Sequence, residues 1–190
     1  MIPTTREILT AVYGAWTLLK LDPRGLELFE DSLPAAVRSF FAAVIVAPGF
    51  AILRLMEHVG SETAAGPLAI LVVEAIAYVV VWAAFPLALY YLAMAFGRPE
   101  RFRLAVVALN WSVVIQIALS LPVHLIAASG ILSPGLATLA ILAVLVVTLV
   151  YEGFVARTAL KISSPMAALV VAIDVVISLA VQALVSGMLA

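Results

Sequence analysis

The sequence has no cysteine, two histidines and few charges: Asp, Glu, Lys and Arg together make up 11% of its 190 residues. Without cysteine there can be no disulfide, no cysteine-ligated cluster, no thiol catalysis and no lipoprotein attachment. His58 and His124 alone cannot build a His-rich metal site. A net charge of −1 removes the basic footprint that a nucleic-acid partner requires. Catalytic signatures are missing too: no GxSxG, no HExxH, no Walker loop and no Rossmann glycine pattern. An intramembrane protease needs a paired nucleophile and base or two aspartates, and Asp174 is the one aspartate within an apolar run. Neither an enzyme nor a cofactor or metal site is therefore expected. Met1 to Glu7 lacks a basic stretch feeding into an apolar run, so no cleavable signal peptide is read there.

What the chain has is apolar surface. Hydrophobic residues are 66% of it and the mean hydropathy is +1.24, against roughly 45–50% apolar residues in a soluble domain. Water cannot accommodate that surface in a chain of this size, and lipid can. The expected fold is all-α: a polytopic membrane helical bundle of five transmembrane helices with an N-terminal amphipathic helix. Residues 1–33 read as a cytoplasmic amphipathic segment, and residues 34–190 as the five-span bundle. Over residues 3–21, Thr4 and Glu7 form a capping-box pattern, and Ile8, Leu9, Val12, Trp16 and Leu19 recur at helical spacing. Such a helix lies on the membrane surface with Trp16 at the headgroups, or packs on the protein's own cytoplasmic face.

The spans are expected at about 35–55, 67–91, 104–128, 131–151 and 166–189, each near the ~20 residues that cross a hydrocarbon core. Pro48-Gly49, Pro86 and Pro122 fall inside spans, where membrane helices tolerate them as kinks. Basic residues fix the expected topology. Arg6, Lys20, Arg24 and Arg38 precede or open the first span, Arg98, Arg101 and Arg103 follow the second, and Arg157 and Lys161 follow the fourth. The intervening side carries only Arg54, beside Glu57 and Glu62. The positive-inside rule then puts the N-terminus in the cytoplasm and the C-terminus outside. An odd number of spans argues against an inverted-repeat transporter.

Polar groups inside the spans form two stripes. Ser112, Gln116, Ser120 and His124 recur every four residues in span three, just after Asn110, and Asp174, Ser178, Gln182 and Ser186 do so in span five. Matched depths predict that the two spans pack side by side through these stripes. The bland reading is interhelical glue; the functional one is a polar pathway. Asp174 and Glu74 stand apart, because an intramembrane carboxylate needs a partner, a proton or water. Glu152, with Arg157 and Lys161, reads as a solvated rim. Trp16, Trp82, Trp111 and the Tyr90-Tyr91 pair read mainly as interface anchors or packing.

The run from Phe96 to Arg103 (FGRPERFR), the polar start Leu109-Asn110-Trp111-Ser112 of span three and the basic linker Arg157 to Lys161 (RTALK) resemble the Yip1-domain family of small membrane proteins. The likeness runs from about residue 35 to the end. It implies fold and topology: five spans after a cytoplasmic segment, with the C-terminus outside. The DLYGP-type signature of eukaryotic members is missing, so their vesicle-traffic partnerships do not transfer. The Ala/Val/Leu-rich, lysine-poor composition points to a GC-rich bacterium and hence to its cytoplasmic (inner) membrane. The first function expected is a structural or interaction subunit of a membrane assembly, docking through the amphipathic segment and the acidic stretch Glu27–Asp31. Its partners are the bilayer and other membrane proteins or a second copy. The alternative is a transporter or channel component that uses Glu74 and Asp174 for proton or cation handling.

Overall fold

The structure is a computed structural model describing residues 2–58 and 65–189; Glu62 lies outside the described residues. Among these there are seven α-helices and no strand. They are α1 (Thr5–Leu19), α2 (Leu33–Ser39), α3 (Phe41–His58), α4 (Pro67–Ala95), α5 (Phe102–Ala128), α6 (Pro134–Leu160) and α7 (Ser164–Leu189). Five segments are long and apolar enough to cross a membrane: Leu33–His58, Pro67–Ala95, Pro99–Ala128, Pro134–Leu160 and Ser164–Leu189. The chain is thus a multi-pass membrane protein of all-α architecture.

The span boundaries depart from expectation in two informative places. The first span breaks at Phe40, between α2 and α3, and not at Pro48-Gly49. Ser39 Oγ donates to the Ala36 carbonyl at 2.7 Å, which competes with the helical ladder where the chain bends. Gly49 instead serves packing, since a Cβ there would sit 2.7 Å from Ile117 on α5. The fourth span runs nine residues past Tyr151, to Leu160. Its end is fastened by Arg101, whose Nε donates to the Ala159 carbonyl at 3.0 Å, one of the last-turn acceptors a helix leaves open.

The core lies at the end that carries Arg98, Arg101, Arg103, Arg157 and Lys161, here called the basic end. Every residue of α5 from Leu104 to Ser112 is buried, because α1, α2, α3 and α6 surround that part of the helix. Of the two placements open to α1, the structure has the second: it packs on α5 and α6. Its capping box forms as the sequence implies, Glu7 accepting from Thr4 N at 2.6 Å and Thr4 Oγ1 accepting from Glu7 N at 3.2 Å. The buried face is made of Ala11, Gly14, Ala15 and Leu18, while Leu9 and Trp16 point outward. The small residues permit a close crossing with the 3-10 turn at Pro23–Leu28: a Cβ on Gly25 would lie 2.6 Å from the Gly14 carbonyl. Tyr151 Oη, buried on α6, donates to the Ala15 carbonyl at 2.8 Å and ties α1 to the bundle.

The other end is built differently. The backbones of α3 and α4 scarcely approach each other, and side chains span the gap. Arg54 reaches Glu74 through two hydrogen bonds of 2.9 and 2.7 Å, His58 Nε2 lies 2.8 Å from the same carboxylate, and Tyr78 Oη donates to the Ala43 carbonyl at 2.6 Å. Outward faces of α4 and α7 expose Leu71, Ile76, Val79, Val176, Leu179 and Leu184, the apolar surface that lipid covers.

Candidate functional site

Asp174 projects from α7 at a depth where α3, α4, α5, α6 and α7 surround a cavity of about 250 Å³. Five of the residues singled out above line it: Asn110, Ser112 and Gln116 from α5, and Asp174 and Ser178 from α7. Ser120, His124, Gln182 and Ser186 do not reach it. His124 Nδ1 lies 2.8 Å from the Ser120 carbonyl one turn back, a local bond that keeps its own helix company. The two stripes therefore meet across a cavity over half their length. The expected direct packing of spans three and five is not what forms: α7 packs on α4 and α6 and has little direct contact with α5. The polar side chains at that level face open volume, not each other's helix backbone.

Glu152 corrects a second expectation. It is no solvated rim: the residue is 6% exposed and lines the same cavity as Asp174. Arg157 and Lys161 are exposed, on other faces and further along. Five residues along a helix turn the side chain by about 140°, which separates Glu152 from Arg157. One carboxyl oxygen of Glu152 is buried without a hydrogen-bond partner among the described residues, and no Lys, Arg or His lines the cavity. The missed signal was positional: Glu152 follows Tyr151 directly, and the helix continues for eight more residues beyond it.

Glu74, expected to be a lone acid, is paired with Arg54 and His58, and Arg54 also bonds Glu57. Arg54 belongs to α3 and not to a loop, which places its charge opposite Glu74. This cluster borders a second cavity, about 460 Å³, between α3 and α4. A third, about 360 Å³, lies at the basic end beneath α1, where Glu7 and Glu30 bond Arg38.

The middle cavity adjoins the other two through residues that border both or touch across. Ser39 borders the basic-end cavity and Asn110 the middle one, and Asn110 Nδ2 donates to Ser39 Oγ at 2.8 Å. Phe50 and Tyr78 border both the middle and the α3–α4 cavities, their ring centroids 4.8 Å apart. Trp82 stands in the wall of the middle cavity and Trp111 is buried at the basic-end one, so neither is an interface anchor. Trp16 and the edge-to-face pair Tyr90–Tyr91 are exposed. Chemically, the arrangement offers two carboxyls with no basic side chain in the lining, two amides and hydroxyls. Among the described residues no three His, Cys, Asp or Glu side chains are grouped as a metal site.

No protein-family model matches the chain, and neither a curated protein nor a solved structure matches it significantly.

Proposed function

We propose that the chain is a cation carrier: a multi-pass protein of a bacterial cytoplasmic membrane that binds a cation at Glu152 and Asp174 and exchanges it for protons at the same carboxyls. The observation that carries this reading is Glu152, buried, with one oxygen unpartnered, in a cavity that it shares with Asp174 and with no basic side chain. Ionisable groups at that depth are costly and mark ion pathways by default. The neighbouring cavities supply approach routes, adjoining this one at the Asn110–Ser39 hydrogen bond and the Phe50–Tyr78 ring contact. The positive-inside distribution supports an orientation with α1 and the basic end in the cytoplasm. The Yip1-like layout is proposed for fold and topology only.

The structural-subunit reading keeps one supporting observation, the outward row Leu9, Tyr13 and Trp16 on α1. Its acidic stretch is exposed, with Glu30 paired to Arg38 and Asp31 near Arg103 at the protein's own surface.

The test is a pH-gradient assay in proteoliposomes with an acidic interior and a pH-sensitive dye. External sodium, potassium and tetramethylammonium chlorides are added in turn. At least one cation dissipates the gradient with the wild type and fails to do so with Asp174→Asn or Glu152→Gln. A gradient equally indifferent to all three cations in wild type and variants overturns the carrier reading.

A further inference from the structure

The middle cavity says more about its cation than its charge. Its lining joins two acids, Glu152 from α6 and Asp174 from α7, to four rings, Phe50 from α3 and Tyr78, Trp82 and Phe85 from α4. The rings form a continuous cluster: Tyr78 lies 4.8 Å from Phe50 and 6.1 Å from Trp82, centroid to centroid. The volume of about 250 Å³ is several times the roughly 30 Å³ that one water occupies. It is below the usual range of drug-sized pockets, roughly 300–1,000 Å³.

A bare metal ion fits this lining poorly. Calcium takes about six to eight oxygen ligands and magnesium an octahedron at close range. Two carboxyls are on offer here with Gln116 and Ser178 beside them, while Ser112 Oγ donates to the Leu109 carbonyl at 2.7 Å and Asn110 Nδ2 donates to Ser39. Nor does a proton alone require an aromatic wall or this much room. An alkylated ammonium uses the acids and the rings at once. Its charge is neutralised by the carboxyls, and its methyl or methylene groups, which spread the positive charge, lie against ring faces.

Resting on the carrier reading above, we infer that the cation is a compact organic ammonium, held between the Glu152–Asp174 carboxyls and the Tyr78–Trp82 face. Recognition comes from the pairing of a buried, uncompensated carboxyl with an aromatic cluster in a cavity of matching size. The Phe50–Tyr78 pair, shared with the α3–α4 cavity, is then both a wall of the site and the contact that must part for the ligand to leave on that side.

The experiment uses the purified full chain with tetramethylammonium, read by thermal shift and tryptophan fluorescence, with sodium chloride holding ionic strength constant. Tetramethylammonium raises the melting temperature and changes the Trp82 signal, and sodium does not displace it. Trp82→Leu weakens binding about tenfold, Trp82→Phe less, and Asp174→Asn on the order of tenfold or more. Gel filtration of each variant separates lost binding from lost folding, and Trp82→Phe, which keeps a ring, serves where Trp82→Leu does not fold. Sodium or potassium that competes at similar affinity, or dissipates the pH gradient where tetramethylammonium does not, overturns the inference and leaves the carrier reading standing. Gradient loss dependent on Asp174 but independent of every added cation overturns both the inference and the carrier reading, in favour of protons alone. Indifference to all cations in both assays removes the carrier reading itself.

Discussion

The two ends of this bundle are held together by different physics. At the basic end, backbones touch: Gly14 crosses Gly25, Ala105 and Ala108 lie wholly buried, and α1 closes over α5 and α6. At the far end, α3 and α4 stand apart, and Arg54, Glu74, His58 and Tyr78 bridge them. Close packing is short-ranged and leaves no alternative arrangement, because displacing it forfeits many contacts at once. A few long polar side chains across a gap hold with fewer, more directional links. Glu152 and Asp174 sit where the two regimes meet. The rigid end supplies fixed positions for the carboxyls, and the bridged end supplies the part that yields.

The largest expected effect comes from breaking the bridge on one side. Arg54→Ala removes the principal partner of Glu74 and leaves its carboxylate with His58 alone among apolar neighbours, at a cost of about 3 kcal/mol. The double variant Arg54→Met, Glu74→Gln recovers most of that stability, because both charges go together. It should nevertheless widen the α3–α4 distance distribution. The absence of native cysteine makes this measurable with spin labels at Leu55→Cys and Leu71→Cys, both on exposed positions. An unchanged distribution in the double variant would show that the ion pair is not what holds these helices.

Next in size is Gly25→Ala at the packed end. A Cβ 2.6 Å from the Gly14 carbonyl forces backbone apart, and overpacking of this kind costs about 2 kcal/mol. Thermal denaturation in detergent reads the loss. The label distance at the far end should stay as in the wild type; a shift there would mean that the two ends are not separable.

Tyr78→Phe is smaller and sharper. It keeps the ring against Phe50 and removes the bond to the Ala43 carbonyl, worth about 1 kcal/mol. The expected result is a small fall in melting temperature with a broader α3–α4 distribution. A fall in stability with no broadening would place the role of Tyr78 in packing alone.

The sequence shows this division unevenly. Long apolar runs and breaks reveal the five spans, and Thr4 and Glu7 reveal the start of α1, because both signals are local. The polar stripes are legible as helix faces, and four of their residues do gather in one cavity. What they face is not legible, since that depends on how far apart α5 and α7 are held by α4 and α6. Glu152 is hidden for a related reason: next to Arg157 and Lys161 in sequence it looks like part of a charged helix end, and only its direction around α6 separates it from them. Arg54 and Glu74 are twenty residues apart and belong to different helices, so their pairing is a tertiary fact.

The smallest effect tests whether the packed end depends on its cap. Glu7 accepts from the Thr4 backbone and hydroxyl and lies 3.1 Å from Arg38. The bonds from Thr4, with the Arg38 charge behind them, hold its carboxyl below the usual value of 4.5. A group whose folded pKa is depressed stabilises fully above its unfolded pKa and loses that contribution as pH falls through the folded value. The melting temperature of the wild type should therefore exceed that of Glu7→Gln by a constant margin above the ordinary glutamate range, and the margin should close as pH falls below that range through the depressed folded value. Taking the difference between the two proteins removes the other carboxyls from the comparison, since both carry them. A margin that persists at the low end would mean that the side chain acts through its shape or its neutral hydrogen bonds. Because α1 packs on α5 and α6 and not on α3 or α4, the far-end label distance should be the same across the whole range.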